Sequence, residues 1–341
     1  MLIALTFTVS VSAFWFFPTP AFMMFISLLL HLLLNPAVNF LQRKIPRAVA
    51  AGVVLTAFIA VFLFALGIIS NTFIPAFTGF VTDFPNITAK LHGLAIVQNS
   101  DFLTGEIDNI WNVLVKNGAD ALTSSLGMVL TAFNKLIDAV IVAFVTFYLI
   151  LDGKKIENYV ANLFPDQDYK RVYNLIERIL AALRSYITSQ LTICCLTGSI
   201  VFSYFTLRDL PYASVFAVVS GIAEFIPVLG PTVASCLGTV LTATQDTWVA
   251  VQTAGFYLIL TQVNHNVIYP YLIGKSLNLH PLAIILSIVW GGEFLGAPGM
   301  FLAVPIMVIC KLVIEDIYRD RQNREKTITD SRWLNMSTTR R

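Results

Sequence analysis

The sequence predicts an all-α, polytopic membrane protein with eight transmembrane helices, a re-entrant helical hairpin and amphipathic surface helices. Of its 341 residues, 57% are hydrophobic and only 12% are charged, whereas soluble domains carry about 25% charged residues. The mean hydropathy is +0.75, and the apolar residues are concentrated in long runs. So little charge cannot cover the surface of a soluble domain, and so much apolar surface excludes a disordered chain.

The apolar runs predict the individual spans, because a helix needs about 20 residues to cross a hydrocarbon core of about 30 Å. The runs cover residues 2–17, 21–41, 48–70, 128–151, 189–207, 211–227, 231–244, 247–268, 281–296 and 299–317. Run 231–244 would reach only about 21 Å as a helix. Together with 211–227, across the Pro/Gly break at 225–231, it predicts a re-entrant hairpin. Two full spans here, and ten in all, are the alternative.

The runs and the polar stretches between them divide the chain into six regions. Residues 1–70 hold three spans, 71–127 an extracytoplasmic helical segment, and 128–151 a fourth span that Asp152-Gly153 is expected to end. Residues 152–188 form cytoplasmic amphipathic helices, since Val172, Leu175, Ile176 and Ile179 follow helical spacing. Residues 189–318 form a C-terminal core with the broken hairpin, and 319–341 a polar cytoplasmic tail.

The distribution of basic residues predicts the orientation in the membrane. Lys and Arg are concentrated at 43–47, 154–184 and 319–341, and cytoplasmic loops are enriched in these residues. We therefore expect a multi-pass protein of the inner (plasma) membrane with both termini in the cytoplasm. The net charge of only +2 argues against nucleic acid as a partner, because such binders need a concentrated basic face.

Sequence signatures of enzymes and cofactor sites are missing. The chain has no P-loop, no GxSxG and no HExxH motif. Its four histidines are scattered, and its four cysteines lack CxxC spacing. The sequence therefore predicts a protein that is not an enzyme and has no metal site and no cofactor.

Two carboxylates at membrane depth are the first candidate functional residues, because a charged side chain is costly there. Glu224 and Glu293 each lie beside a Pro/Gly break, where water or unwound backbone could reach them. Each is interpreted as a proton-titrating or cation-binding group, and capping of broken-helix N–H groups is the alternative. The associated break residues are Pro227, Gly230, Pro231, Pro298 and Gly299.

A polar cluster within the apolar run 247–268 is the second candidate. It consists of Gln262, Asn264, His265 and Asn266. These side chains cannot all face lipid, because each needs hydrogen-bond partners there. They are interpreted as hydrogen-bonding groups for a polar solute, and an inter-helix polar contact is the alternative.

An ordered set of short motifs resembles the autoinducer-2 exporter family of bacterial and archaeal membrane proteins. The matching pieces span nearly the whole chain and include Asn35-Pro36, Leu151-Asp152-Gly153, Pro211-Tyr212-Ala213, Phe225-Ile226-Pro227 with Gly230-Pro231, His280-Pro281 and Gly291-Gly292. Two positions depart from the family pattern. Asn264 stands where many members carry a carboxylate, and Glu293 where apolar residues are common.

The resemblance implies an eight-span transporter in the lipid bilayer that forms a homo-oligomer, expected to be a pentamer, and exports small polar solutes. The expected substrate is the quorum-sensing signal autoinducer-2. Other members resemble cation/proton antiporters, so Na⁺(Li⁺)/H⁺ exchange through Glu224 or Glu293 is an alternative function, with H⁺ or Na⁺ as partner. A non-transporting membrane scaffold is an alternative of another class.

Overall fold

The computed structural model describes residues 18–92, 105, 125–227, 229–273 and 279–338, and all regular structure in these residues is helical. The helices are α1 (Pro18–Leu41), α2 (Arg47–His92), α3 (Ser125–Asn162), α4 (Asp166–Leu207), α5 (Ala213–Ala223), α6 (Leu229–Ala243), α7 (Thr247–Val263), a π-helical turn (Asn264–Ile268), α8 (Tyr269–Ile273), α9 (Pro281–Leu295) and α10 (Ala297–Thr338). The predicted first span at 2–17 lies outside the described residues.

Four helices of the described chain are long and apolar enough to cross a membrane. They are Thr19–Leu41 in α1, Arg47–Phe80 in α2, Leu136–Asn162 in α3 and Asp166–Leu207 in α4. Ala213–Ala223, Leu229–Ala243 and Leu282–Leu295 are apolar but shorter. The all-helical, multi-pass membrane class predicted from the sequence is confirmed, and the count of eight spans stays a prediction.

Several helices continue past the boundaries expected from hydropathy. Helix α2 continues to His92 with Pro75 and Pro85 inside it, so residues 71–92 continue the helix of the third predicted span. Helix α3 passes through Asp152-Gly153, so the expectation that this pair ends the helix is wrong. A Cβ on Gly153 would lie 3.3 Å from the His31 ring. The glycine therefore makes room for a neighbouring side chain instead of capping the helix.

The described residues fall into two compact units. The first takes its residues from Met1–Pro36, Val145–Tyr186 and Ser276–Arg341. In it, Ala182 and Tyr186 of α4 pack against Val304 and Val308 of α10 in an apolar cluster. Nearer the N-terminal end of α4, Arg171 binds α10 through Asp316 and Asp320, with an N···O distance of 2.7 Å to each. This unit therefore joins α4 to α10 by both apolar and ionic contacts.

The second unit takes its residues from Ala37–Phe144 and Ile187–Lys275. Its core contains one apolar cluster from α2, α4, the α4–α5 connection, α5, α6 and α7, namely Ile87, Val201, Phe205, Leu210, Phe216, Leu241, Tyr257 and Leu260. The rings of Phe205 and Phe216 stack at 5.1 Å. This core holds α5 against the second half of α4.

Helices α5 and α6 form a helical hairpin within the second unit. They contain 11 and 15 residues, which corresponds to about 16 and 22 Å of helix. Both lengths are below the hydrocarbon thickness of about 30 Å. The arms meet so closely at the turn that a Cβ on Gly230 would overlap the carbonyl of Ala223. Only glycine therefore fits at position 230.

Candidate functional site

The predicted carboxylate Glu224 lies at the turn of this hairpin, directly after α5, and is only 3% exposed. The Thr197 hydroxyl on α4 donates a hydrogen bond of 3.0 Å to Glu224 Oε1. The Asn264 amide donates to the same oxygen at 2.9 Å. A buried carboxylate is costly unless such donors stabilise it. The carboxylate and its two donors come from three separate segments of the second unit.

Asn264 occupies the first position of the π-helical turn and is 2% exposed. Its Nδ2 donates to Glu224 Oε1 and also to Thr197 Oγ1, each at 2.9 Å. π-Helical turns within α-helices occur frequently at functional sites. The turn here places Asn264 inward, while the next three side chains, His265, Asn266 and Val267, are exposed.

Gln190 of α4 binds the hairpin through the backbone of Glu224. Its Nε2 donates to the Glu224 carbonyl oxygen at 2.6 Å, and the Gln190 side chain is fully buried. Gln190 therefore fixes the position of the turn, while Thr197 and Asn264 bind the carboxylate. We call Gln190, Thr197, Glu224 and Asn264 the Glu224 cluster.

Two amide oxygens of the Glu224 cluster lack hydrogen-bond partners. Gln190 Oε1 and Asn264 Oδ1 are buried, and neither has a partner among the described residues. Buried polar atoms are paired in the great majority of cases, so each exception needs an explanation. Within the same part of the chain, no Lys, Arg or His side chain forms an ion pair with Glu224.

A close contact between α4 and α5 brings these groups together. A Cβ on Gly198 would lie 3.1 Å from the Ala217 carbonyl oxygen, and a Cβ on Gly221 would lie 3.0 Å from that of Cys194. The two helices thus approach at a pair of glycines, one residue beyond Thr197 and three before Glu224. This approach sets the distance across which Thr197 reaches the carboxylate.

The other predicted residues of this unit are placed differently. Pro227, Gly230 and Pro231 form or flank the hairpin turn, and Gly230 is buried. The remaining members of the polar cluster are exposed: Asn266 donates to Gln262 Oε1 at 2.8 Å, and His265 stacks on Tyr269 with ring centroids 5.4 Å apart. Of the four polar residues, the structure brings only Asn264 to Glu224.

Glu293, Pro298 and Gly299 belong to the first unit. Glu293 is exposed on α9 beside a cavity of about 250 Å³ that it lines with Val289, Trp290 and Phe294. Gly299 is buried, and a Cβ there would overlap the Gly291 carbonyl. The second Pro/Gly break is therefore also a tight turn, between α9 and α10, but its carboxylate is exposed where Glu224 is buried.

Two residues of the Glu224 cluster were missed as candidates. Gln190 and Thr197 lie seven residues apart, which is two helical turns, so they share one face of α4. The pattern that could have identified them is a pair of polar residues on one face of an otherwise apolar helix. The described residues contain no group of three His, Cys, Asp or Glu side chains that could hold a metal ion.

Comparison with known proteins gives matches over most of the chain. The family model described as AI-2E family transporter matches residues 3–319. The Bacillus subtilis (strain 168) "Putative transport protein YueF" is 26% identical over 324 residues, which cover 92% of this chain and 88% of the relative. The Escherichia coli (strain K12) "AI-2 transport protein TqsA" is 22% identical over 297 residues, which cover 85% of this chain and 84% of the relative.

Proposed function

The chain belongs to the AI-2E family of transporters, and from this premise we propose that it exports a small polar solute, with autoinducer-2 as the candidate substrate. The observation that carries the proposal is the buried Glu224 cluster at the turn of a helical hairpin. Broken helices at which polar groups converge are a recurrent substrate site in secondary transporters. The name of TqsA supports autoinducer-2 as the solute to test first.

In this proposal the α5–α6 hairpin is re-entrant, and its turn lies within the bilayer. Arms of about 16 and 22 Å are too short to cross a core of about 30 Å, which supports this placement. The solute would bind at the turn from Glu224 to Pro231, hydrogen-bonded by Asn264 and, on the exposed side of the π-helical turn, by Gln262, His265 and Asn266. Export follows if the solute binds inward-open and outward-open states with different affinity.

The proposal includes the tight turn at Pro298-Gly299, with Glu293 beside it, as a second break that moves during transport. Its support is the backbone contact between Gly291 and Gly299, which resembles that between Ala223 and Gly230. We also propose cytoplasmic termini and an inner-membrane location, supported by the basic clusters at 43–47, 154–184 and 319–341. A homo-oligomer, expected to be a pentamer, stays an implication of the family.

Autoinducer-2 export is tested by measuring the signal inside and outside cells that produce it, with the gene deleted and restored. Deletion should raise the ratio of internal to external signal, and the wild-type gene should lower it again. Glu224→Gln should fail to restore export, because the amide removes the negative charge and replaces one of the two acceptor oxygens by a hydrogen-bond donor. Glu315→Gln is the matched control, since Glu315 lies outside the cluster and contacts Lys311 at 3.6 Å.

An unchanged ratio after deletion would overturn autoinducer-2 as the substrate. If purified protein in vesicles also moved no other small polar solute, the scaffold interpretation would replace transport. Full activity of Glu224→Gln with normal expression would remove the Glu224 cluster from the pathway while leaving the export function itself in place.

A further inference from the structure

We propose that Tyr257 of α7 is a positioning residue for transport, because it contacts both arms of the α5–α6 hairpin and aligns Glu224 with Asn264. The inference rests on the proposed function in one respect, since it concerns the same hairpin. It goes further by assigning a role to a residue outside the Glu224 cluster.

The place of the Tyr257 side chain between the two arms is the first argument. Its hydroxyl oxygen lies 3.2 Å from Ser220 Oγ on α5, and either hydroxyl can donate the hydrogen bond. On α6, a Cβ on Gly238 would lie 2.8 Å from Cε2 and 3.0 Å from the hydroxyl oxygen of the same tyrosine. Tyr257 and Ser220 are both buried. The glycine therefore provides the space through which a side chain from α7 reaches α5.

The spacing of two contacts is the second argument. Tyr257 and Asn264 are seven residues apart, so one face of α7 carries both of them, two helical turns apart. Their partners, Ser220 in α5 and Glu224 directly after it, are one helical turn apart, and the Glu224 N–H donates to the Ser220 carbonyl oxygen at 3.3 Å. Two contacts fix both the position and the rotation of α5 on α7, whereas either contact alone would leave the rotation unspecified.

The attachment of α7 to α4 is the third argument. Phe256, the neighbour of Tyr257 in sequence, stacks on Tyr204 of α4 with ring centroids 3.9 Å apart. The Tyr204 hydroxyl also shares a hydrogen bond of 3.3 Å with Thr253 Oγ1 of α7. Helix α4 carries two members of the Glu224 cluster. Tyr257 therefore connects the hairpin to the pair of helices that supplies the partners of its turn.

The hydroxyl group itself is the fourth argument. Tyr257 belongs to the apolar core of the second unit, together with Phe216 and Leu241. A hydroxyl buried in such surroundings is costly without a hydrogen bond, and the Ser220 hydroxyl supplies that bond. Apolar contacts tolerate small shifts between helices, whereas a buried polar pair is satisfied in one register only. The bond therefore specifies the register of the hairpin on α7.

The experiment measures amide hydrogen exchange at the hairpin turn, residues 224–230, in the full-length protein in lipid nanodiscs. Amides of this turn form backbone hydrogen bonds, and their exchange reports local opening. Tyr257→Phe keeps the ring and should accelerate the exchange about fivefold, equivalent to about 1 kcal/mol. Tyr169→Phe is the matched control and should leave it unchanged, because the Tyr169 hydroxyl donates to Asn158 in the first unit.

A double-mutant cycle separates positioning from general stabilisation. Asn264→Ala should also accelerate exchange at the turn. Because Tyr257 acts by aligning Asn264 with Glu224, adding Tyr257→Phe to Asn264→Ala should change the exchange little further, whereas an independent contact would contribute its full effect again. Ser220→Ala removes the other hydroxyl and should reproduce the effect of Tyr257→Phe. All variants should elute as the wild type does in size-exclusion chromatography, which guards against a folding defect.

Autoinducer-2 efflux from vesicles is the second readout. Tyr257→Phe should slow efflux about twofold or more at low solute concentration and little at saturation, because solute binding must also realign the turn. Unchanged exchange in Tyr257→Phe, additive effects in the cycle, or wild-type efflux by Tyr257→Phe would each overturn the inference. If the wild type moved no autoinducer-2, the export proposal would fail by itself, and the exchange cycle would still decide whether Tyr257 positions the turn.

Discussion

At the scale of single residues, Glu224 is bound through two different groups. Thr197 and Asn264 donate to its carboxylate, and Gln190 donates to its backbone carbonyl. The first two bonds depend on the side chain at position 224, whereas the third would exist with any residue there. Each kind of bond can therefore be removed separately.

Gln190→Leu should destabilise the protein by about 1–3 kcal/mol, because the Glu224 carbonyl would be left buried without a donor. The thermal unfolding midpoint in detergent measures this effect. Gln262→Leu is the matched control, since Gln262 is exposed and accepts a hydrogen bond from the exposed Asn266. Equal midpoints for the two variants would contradict the role assigned to Gln190.

The membership of the Glu224 cluster was partly predictable from the sequence. Glu224 and Asn264 were recognised because charged and amide groups are costly in an apolar run. That they bond to each other was not predictable, because 40 residues separate them and hydropathy carries no information on contacts. Gln190 and Thr197 were missed for a related reason: a polar residue in a span is informative only when its partner is known.

At the scale of helices, the crossing of α4 and α5 determines the geometry of the Glu224 cluster. Gly198 and Gly221 lie at the crossing, and their missing side chains allow backbone contact. Small residues at helix crossings are common in membrane proteins, where close backbone approach provides much of the association energy.

The double substitution Gly198→Ala with Gly221→Ala should separate the helices by a few tenths of an ångström. We expect a loss of about 1–3 kcal/mol of stability from overpacking. The thermal unfolding midpoint in detergent is the readout. Gly255→Ala in α7 is the control, because a Cβ there meets nothing within 4 Å; an effect of that control as large as the double substitution would refute the explanation.

A second inter-helix contact, between α4 and α10 in the first unit, is ionic. Arg171 bonds to Asp316 and Asp320, each at 2.7 Å, and Arg178 reaches Asp316 at 3.3 Å. The side chains of Arg171 and Asp316 are 22% and 12% exposed. Hydrogen bonds between charged groups at this burial contribute more than surface ion pairs do.

Arg171→Ala should therefore lower stability by about 2 kcal/mol, and high salt should narrow the difference from wild type. Lys155→Ala removes a pair with Asp152 whose lysine side chain is 83% exposed, and it should change the midpoint little. Thermal unfolding at low and high salt checks both expectations. If Lys155→Ala lost as much stability as Arg171→Ala, burial would not determine how much an ion pair contributes to stability.

At the scale of the whole molecule, the membrane class was predictable because composition alone determines it. Helix ends were less predictable, because hydropathy reports where lipid is tolerated and not where the backbone stops being helical. Helix α3 continues beyond the apolar run to Asn162, and an i,i+3 pair between Asp152 and Lys155 lies within that polar extension. Such i,i+3 pairs stabilise a helix in polar sequence by about 0.2–0.5 kcal/mol each.

The proposed orientation makes a prediction for the whole chain. In a background without the four native cysteines, Lys155→Cys should react with a membrane-impermeant maleimide only after cells are permeabilised. Lys90→Cys should react in intact cells, because residue 90 lies in the segment expected outside. Both side chains are exposed, so reactivity reports the side of the membrane. The reverse pattern would invert the topology.

The backbone bond from Gln190 also bears on how this transporter could diversify. Because that bond does not depend on the side chain at position 224, the carboxylate or Asn264 could be substituted while the hairpin keeps its position. Under the proposed function, a change of transported solute would then need one or two substitutions and no change in the hairpin. Directed evolution at positions 197, 224 and 264, with Gln190 held constant, would test this expectation.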